Sequence, residues 1–241
     1  MNLDSIRKVL DESRNVVCLE GITICEDCGC MNYRSDSSAY AIEEKYGYSP
    51  DEMFSSVFYT TRTKQFFDFY RNEILASPGT PGEGLKTLAR MEEDGKLNAI
   101  VTREIFSLAK RAGCKNVIEF HGNIYSNKCP HCGQVFPFEY MLKSRDIPMC
   151  HKCNVPVRPQ VRLVGEMVDN YLISRAADEI RKADTLLVIG STLHSYLCQT
   201  CLKYFMGEKL ILINREPHFS DANADFVYHG SPDEILPKIY H

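Results

Sequence analysis

A chain of 241 residues with 44% hydrophobic content and a formal net charge of −4 is long enough for one large domain carrying a small insertion. It lacks the basic footprint of a nucleic-acid-binding protein, so no nucleic-acid partner is expected. No apolar run approaches a membrane span, and the N-terminal MNLDSIRKVLDESRN alternates acids and bases, so neither a membrane segment nor a signal peptide is expected. Eleven cysteines, with no even framework outside one metal pattern, point to a reducing compartment and hence a cytoplasmic protein.

Residues 3–14 read as an amphipathic helix, and 15–20, apolar and ended by Gly21, as a buried first strand. Residues 22–36 show no periodicity and are expected to form a loop holding Cys25, Cys28, Cys30 and Arg34. From Ser37 to Leu75 the pattern is helical, and Ser49-Pro50-Asp51-Glu52 supplies an N-cap, a first-turn proline and an acid at the third position. A helix over 81–93 closes at Gly95; a strand over 98–102 and a helix over 105–112, ended by Gly113, follow. The third strand, 117–120, delivers His121.

Further on, 160–164 is strand-like, 167–182 helical, 185–190 the strongest strand, and 195–206 helical. Strands over 209–214 and 225–228 precede a last helix opened by Ser231-Pro232-Asp233-Glu234. Strands alternating with helices predict an α/β chain with a parallel sheet covered on both faces. Segments 36–80 and 128–154 interrupt the alternation and are expected to form a small second lobe, leaving 1–35, 81–127 and 155–241 as the large domain.

Two Cys-x2-Cys pairs, Cys129/Cys132 and Cys150/Cys153, are separated by seventeen residues, a spacing suited to a four-thiolate zinc site. Four thiolates close the tetrahedron and leave no position for water, so the zinc is expected to be structural. His131 and His151 lie inside the knuckles as alternative ligands; four cysteines are the simpler assignment. Cys25-x2-Cys28-x-Cys30 suggests a redox or second metal site, against the alternative of small buried residues.

Ligands of open parallel sheets bind outside the carboxyl ends of the strands. Those ends carry Gly21, Thr102, His121, Gly190-Ser191 and Asn214. Glycines let backbone approach a phosphate, so a nucleotide or dinucleotide site is expected, although the Gly-x-Gly-x-x-Gly fingerprint is absent. The same residues also suit ordinary strand-to-helix turns. His121, before Gly122, is placed either as a general base or as a hydrogen-bonded strand end.

Taken together, Tyr33-Arg34-Ser35, Ala112-Gly113, Glu119-Phe120-His121-Gly122, the four cysteines, Val157-Arg158-Pro159, Val164-Gly165-Glu166, Gly190-Ser191-Thr192-Leu193 and Ile213-Asn214 resemble the sirtuin family of NAD-dependent protein deacylases, from about Val16 to Gly230. The resemblance implies a Rossmann-like domain and a zinc-ribbon plus helical lobe, with NAD and an acylated lysine of a protein or peptide meeting in the cleft between them. His121 would be the base that deprotonates the nicotinamide ribose. Arg34 would belong to the loop closing over the cofactor, and Thr102 and Gly21 to its pocket. Gly190 and Ser191 would meet the phosphates, and Asn214 the adenosine ribose. Val164, Gly165 and Glu166 would pair with the substrate peptide as an added strand.

The sequence also departs from the family pattern. Gly-Ala-Gly-Ile-Ser is here Gly21-Ile22-Thr23-Ile24-Cys25, and Pro-Asp-Phe-Arg is Met31-Asn32-Tyr33-Arg34. Thr-Gln-Asn-Ile-Asp is Thr102-Arg103-Glu104-Ile105-Phe106, and the histidine of that helix is Ala109. Thr23 adds a side chain where a diphosphate meets bare backbone, and Phe106 cannot accept a hydrogen bond from the nicotinamide amide. Two alternatives therefore accompany the deacylase reading. One is a non-catalytic module binding a nucleotide or protein partner. The other is altered chemistry, with Glu104 beside the ribose carbon and Arg103 adding a cation.

Overall fold

The computed structural model describes residues 3–240. Its strands in chain order are β1 (Val16–Glu20), β2 (Leu97–Thr102), β3 (Val117–Glu119), β4 (Gly122–Lys128), β5 (Val135–Phe136), β6 (Arg158–Val161), β7 (Thr185–Ile189), β8 (Lys209–Asn214) and β9 (Phe226–His229). The chain divides into two compact units, one of residues 1–28, 80–120 and 169–241, the other of 29–79 and 121–168.

The first unit is built on a six-stranded sheet in the order β3-β2-β1-β7-β8-β9, all parallel. Every residue of β1 and of β7 is buried, which is why both read as continuous apolar runs rather than alternating ones. The sheet grows from β1 outward to β3 and then resumes on the other side of β1 with β7. The order therefore reverses between β1 and β7, and this switch point is where the two strand ends part.

Helices Leu3–Glu12, Glu83–Glu93, Asn170–Lys182 and Pro232–Ile239 belong to this unit, each burying one apolar face. Residues 22–36 are not all loop, because Thr23–Asp27 is helical. Tertiary contacts make that helix: Thr23 N–H donates to the Gly190 carbonyl at 3.2 Å, and the Asp27 carboxylate meets Arg215 and the Ser231 hydroxyl. Five residues are too few to show a period. The helix expected over 105–112 begins only at Leu108, since Ser107 takes a left-handed backbone with φ of 51°.

In the second unit, residues 36–75 fold as four α-helices and a terminal π-turn over Tyr70–Leu75. Ser35, Ser49 and Ser55 each accept a backbone N–H at a helix start, as N-cap hydroxyls do. Phe54, Phe66 and Tyr70 stack at 5.6–6.5 Å between centroids and form the buried core of this segment. The remainder is a three-stranded antiparallel sheet, β5-β4-β6. Strand β4 has no alternation in its sequence, GNIYSNK, and only Ile124 and Asn127 are buried. The strand-like stretch expected over 160–164 is displaced to 158–161, where Arg158 and Pro159 pair with Lys128 and Asn127. No described helix is long and apolar enough to cross a membrane.

Candidate active site and metal centre

At the switch point the backbone turns after β1 and β7 lie against each other. Gly21 N–H donates to the Ile189 carbonyl at 2.8 Å, and a Cβ on Gly21 would stand 2.1 Å from the Gly190 oxygen. Gly190 itself has φ of 58°, and its Cβ would meet the Thr23 Oγ1 at 2.8 Å. Neither position admits a side chain, which is the physical reason for two glycines here. Gly190 N–H continues to the Ile213 carbonyl at 3.0 Å, tying in the end of β8. Asn214 follows, buried, with Nδ2 donating to the Glu216 carbonyl at 3.2 Å. Ser191 is buried and donates through Oγ to Ser195 Oγ at 2.8 Å or accepts from it. Gly21, Gly190 and Ser191 are thus brought together, with Asn214 at the end of the next strand.

These residues fit the phosphate-bearing half of a dinucleotide. Thr23 does press its side chain toward Gly190, as the sequence suggests. It also brings a buried hydroxyl that bonds to no protein group, and a buried polar atom of that kind calls for an external partner.

The corner after β2 differs from the expectation for Glu104. Thr102 Oγ1 donates to the Glu20 carbonyl at 3.2 Å and accepts from Glu104 N–H at 3.1 Å. The Glu104 carboxylate then turns back on its own chain, accepting from Leu108 N–H at 2.9 Å and from Phe106 N–H. It is 2% exposed, and it fixes the start of the 108–112 helix instead of projecting outward. Phe106 is buried beside it. Glu119 closes the corner, accepting from Ser107 Oγ at 2.5 Å and pairing with Lys110 Nζ at 2.7 Å. Arg103 lies over the Tyr196 ring, 5.0 Å from its centroid.

Burial pushes the Glu104 carboxyl up to about 7, assisted by the Glu119 charge and opposed by the two backbone N–H groups and Arg111. An unfolded glutamate ionises near 4.5, so between those values the native state holds a proton that the unfolded chain has released. The stability this group contributes is full below about pH 4.5 and is lost as pH rises through about 7, by at most about 3 kcal/mol. The melting temperature of the unaltered protein should therefore fall more steeply from about pH 5 to about pH 8 than that of Glu104→Gln. Parallel profiles would refute this role.

In the second unit the sulfurs of Cys129, Cys132, Cys150 and Cys153 lie within 4.8 Å of one another, and no other His, Cys, Asp or Glu cluster suited to a metal occurs among the described residues. Cys132 Sγ and Cys150 Sγ are 3.7 Å apart; sulfurs about 2.3 Å from one tetrahedral zinc stand about 3.8 Å from each other. The two knuckles repeat one backbone device. Gly133 N–H bonds the Cys129 carbonyl at 3.0 Å, and Asn154 N–H the Cys150 carbonyl at 2.9 Å. Cys129 and Cys150 N–H then bond the Gln134 and Val155 carbonyls, each at 2.8 Å. His151 packs on the Phe136 and Tyr140 rings, and His131 Nδ1 lies 3.4 Å from Cys153 Sγ, so both stand outside the ligand set. The donor set fits a structural zinc ion. Cys25, Cys28 and Cys30 are buried thiols outside any such cluster.

His121 opens the second unit. Its carbonyl accepts from Arg162 N–H at 2.8 Å, and its Nε2 lies 2.7 Å from Arg162 Nη1. A guanidinium can only donate, so Nε2 is the acceptor and the neutral ring carries its proton on Nδ1. Gly122 follows because a Cβ there, at φ of 62°, would stand 1.9 Å from the Gln160 oxygen. Arg162 Nε donates to the Glu166 carbonyl at 2.7 Å. The Glu166 carboxylate pairs with Arg158 at 2.6 Å and accepts from Leu163 N–H at 2.7 Å.

Val164 bonds Phe54 and Ser56 through its own N–H and carbonyl, at 2.9 and 3.0 Å. That edge is closed to an added strand, and the exposed Gly165 is the residue of this loop left for one. Arg34 pairs with Asp51 at 2.6 Å, its guanidinium 5.1 Å from the Tyr33 ring centroid. Sequence reasoning overlooked Arg162. Its signal was a lone cation within the apolar run Val161-Arg162-Leu163-Val164.

A Rossmann-type parallel sheet with a glycine-lined switch point, and a separate unit holding a four-thiolate centre and an arginine-bonded histidine, define a nucleotide-binding protein with a structural metal lobe. The Sir2 family profile matches residues 21–196, and the chain belongs to that family. An NAD-dependent protein deacetylase of Clostridium acetobutylicum is 37% identical over 238 residues, which is 98% of this chain and 97% of that protein. One of Clostridium perfringens is 32% identical, covering 98% of each. Among solved structures, one described as the structural basis of sirtuin substrate affinity superimposes with a TM-score of 0.87 at 28% identity, over 99% of this chain and 98% of that one. A Sir2 complex with a p53 peptide and NAD+ gives 0.82 at 28% identity, over 99% and 97%.

Proposed function

We propose that the chain is an NAD-dependent protein-lysine deacylase, acting on acylated lysines of proteins or peptides. The observation that carries this reading is the full-length similarity to relatives named for that activity, joined to a switch point whose bare backbone suits a diphosphate. The overall reaction converts an acyl-lysine, NAD and one water into lysine, nicotinamide and acyl-ADP-ribose. NAD, when bound, supplies the ribose carbon that takes the acyl oxygen as nicotinamide leaves.

The chain's own residues bind, orient and move a proton. Gly21, Gly190 and Ser191 bind the phosphates, assisted by the orphaned Thr23 hydroxyl. Asn214 orients the adenosine ribose, Thr102 shapes the pocket floor, and Arg34 belongs to the covering loop. His121 takes a proton from a ribose hydroxyl. Its Nε2 becomes available when Arg162 turns to another acceptor. The Val164-Gly165-Glu166 loop holds the peptide backbone, chiefly through Gly165. Cys129, Cys132, Cys150 and Cys153 hold a structural zinc ion that orders this lobe.

The place of action is the cytoplasm, in keeping with eleven cysteines that form no disulfide. The non-catalytic alternative is not favoured, given relatives named for the activity over their whole length. The test is nicotinamide release from NAD by the purified full chain, with and without acylated peptide. Release that requires the acyl-lysine is expected. No release with any acylated peptide would overturn the reading.

A further inference from the structure

Arg162 is the charged group that this reading leaves without a task. It is half-buried, and both of its side-chain contacts are to uncharged acceptors: the Glu166 carbonyl and His121 Nε2, each at 2.7 Å. The carboxylate nearest in sequence, that of Glu166, is committed to Arg158 and to Leu163 N–H. Nη2 has no partner among the described residues. A guanidinium held partly out of water by neutral partners keeps an uncompensated charge, and its fork matches the two oxygens of a carboxylate.

Its position says which carboxylate. One end of the guanidinium bonds the loop that would hold the peptide backbone, and the other bonds the histidine at the reaction centre. An acyl-lysine reaching from that loop toward His121 lays its acyl chain along the guanidinium. An apolar acyl group there would bury the cation further and offer it nothing. An acyl group ending in a carboxylate would meet Nη1 and Nη2 and free the His121 ring to act.

We propose that this chain prefers lysines acylated by a dicarboxylic acid, such as succinyl-lysine, and that Arg162 is the residue that determines this specificity. The inference rests on the deacylase reading for its chemistry, while the recognition can be measured without turnover.

The test uses the full chain and three peptides identical except for acetyl-, butyryl- or succinyl-lysine; butyryl has a methyl group where succinyl has its carboxylate. Affinity is measured without NAD, and nicotinamide release with it. The succinyl peptide should bind at least about tenfold tighter than the butyryl peptide. That preference should vanish in Arg162→Met, survive in large part in Arg162→Lys, and weaken with salt. Equal affinity for succinyl and butyryl peptides, binding of neither, or an undiminished preference in Arg162→Met would overturn the inference. Acetyl-peptide turnover alongside such a result would leave the deacylase reading standing. A succinyl preference with no nicotinamide release from any peptide would uphold the inference and sink that reading. Should Arg162→Met fail to fold, the Lys variant and the salt dependence of the unaltered protein decide.

Discussion

A Cys150→Ser chain should lose its zinc and, with it, the folded state of residues 121–168. A structural zinc site binds with an apparent free energy on the order of 10 kcal/mol, comparable with the whole stability of a domain. Little else could compensate, because strand β5 contributes only Val135 and Phe136 and the knuckles are turns. The unaltered protein should carry about one zinc per chain by elemental analysis. The variant should show early proteolysis within 121–168 and a lower melting temperature. Metal-free protein that melts unchanged would contradict the assignment.

Nicotinamide release should drop by about 10²–10⁴-fold in His121→Ala, the range that a positioned general base supplies. Affinity for ADP-ribose and the melting temperature should change little, because the ring is half-buried and its hydrogen bond to Arg162 is to a group that keeps a second partner in the Glu166 carbonyl. In the unaltered protein the rate should also fall on acidification, since a protonated ring has no lone pair to accept a proton. A purely structural histidine would give the opposite pattern, a lower melting temperature with unchanged turnover. Turnover that persists in the alanine variant would remove His121 from the mechanism.

The sheet was legible because its central strands are nearly continuous apolar runs, buried along β1 and β7, and are separated by turn residues. Val16–Glu20, Thr185–Ile189 and Lys209–Asn214 fall within a residue of where pattern alone puts them. The thiolate centre was legible because its geometry is encoded in spacing. What pattern could not supply was local structure made by distant partners. Helix Thr23–Asp27 depends on Gly190, Arg215 and Ser231, none near it in sequence. The inward turn of Glu104 depends on two amides, those of Phe106 and Leu108, the second of which follows the left-handed Ser107. Strand β4 has too few apolar residues to announce itself, and its pairing with β5 and β6 makes it a strand.

That same strand runs from the residue after His121 to the residue before Cys129. At about 3.3 Å per residue, the eight steps from the histidine to the first zinc ligand span up to roughly 26 Å. A zinc ion closed by four thiolates has no open position for a reacting group, yet it anchors the far end of a lever whose near end carries the histidine. A chelator or thiol-alkylating compound would then register in a turnover assay as an inhibitor without visiting the place where bonds change. Competition with peptide or NAD would be absent; recovery after chelation would depend on refolding around added zinc, whereas alkylated cysteines, no longer able to bind as thiolates, would give none.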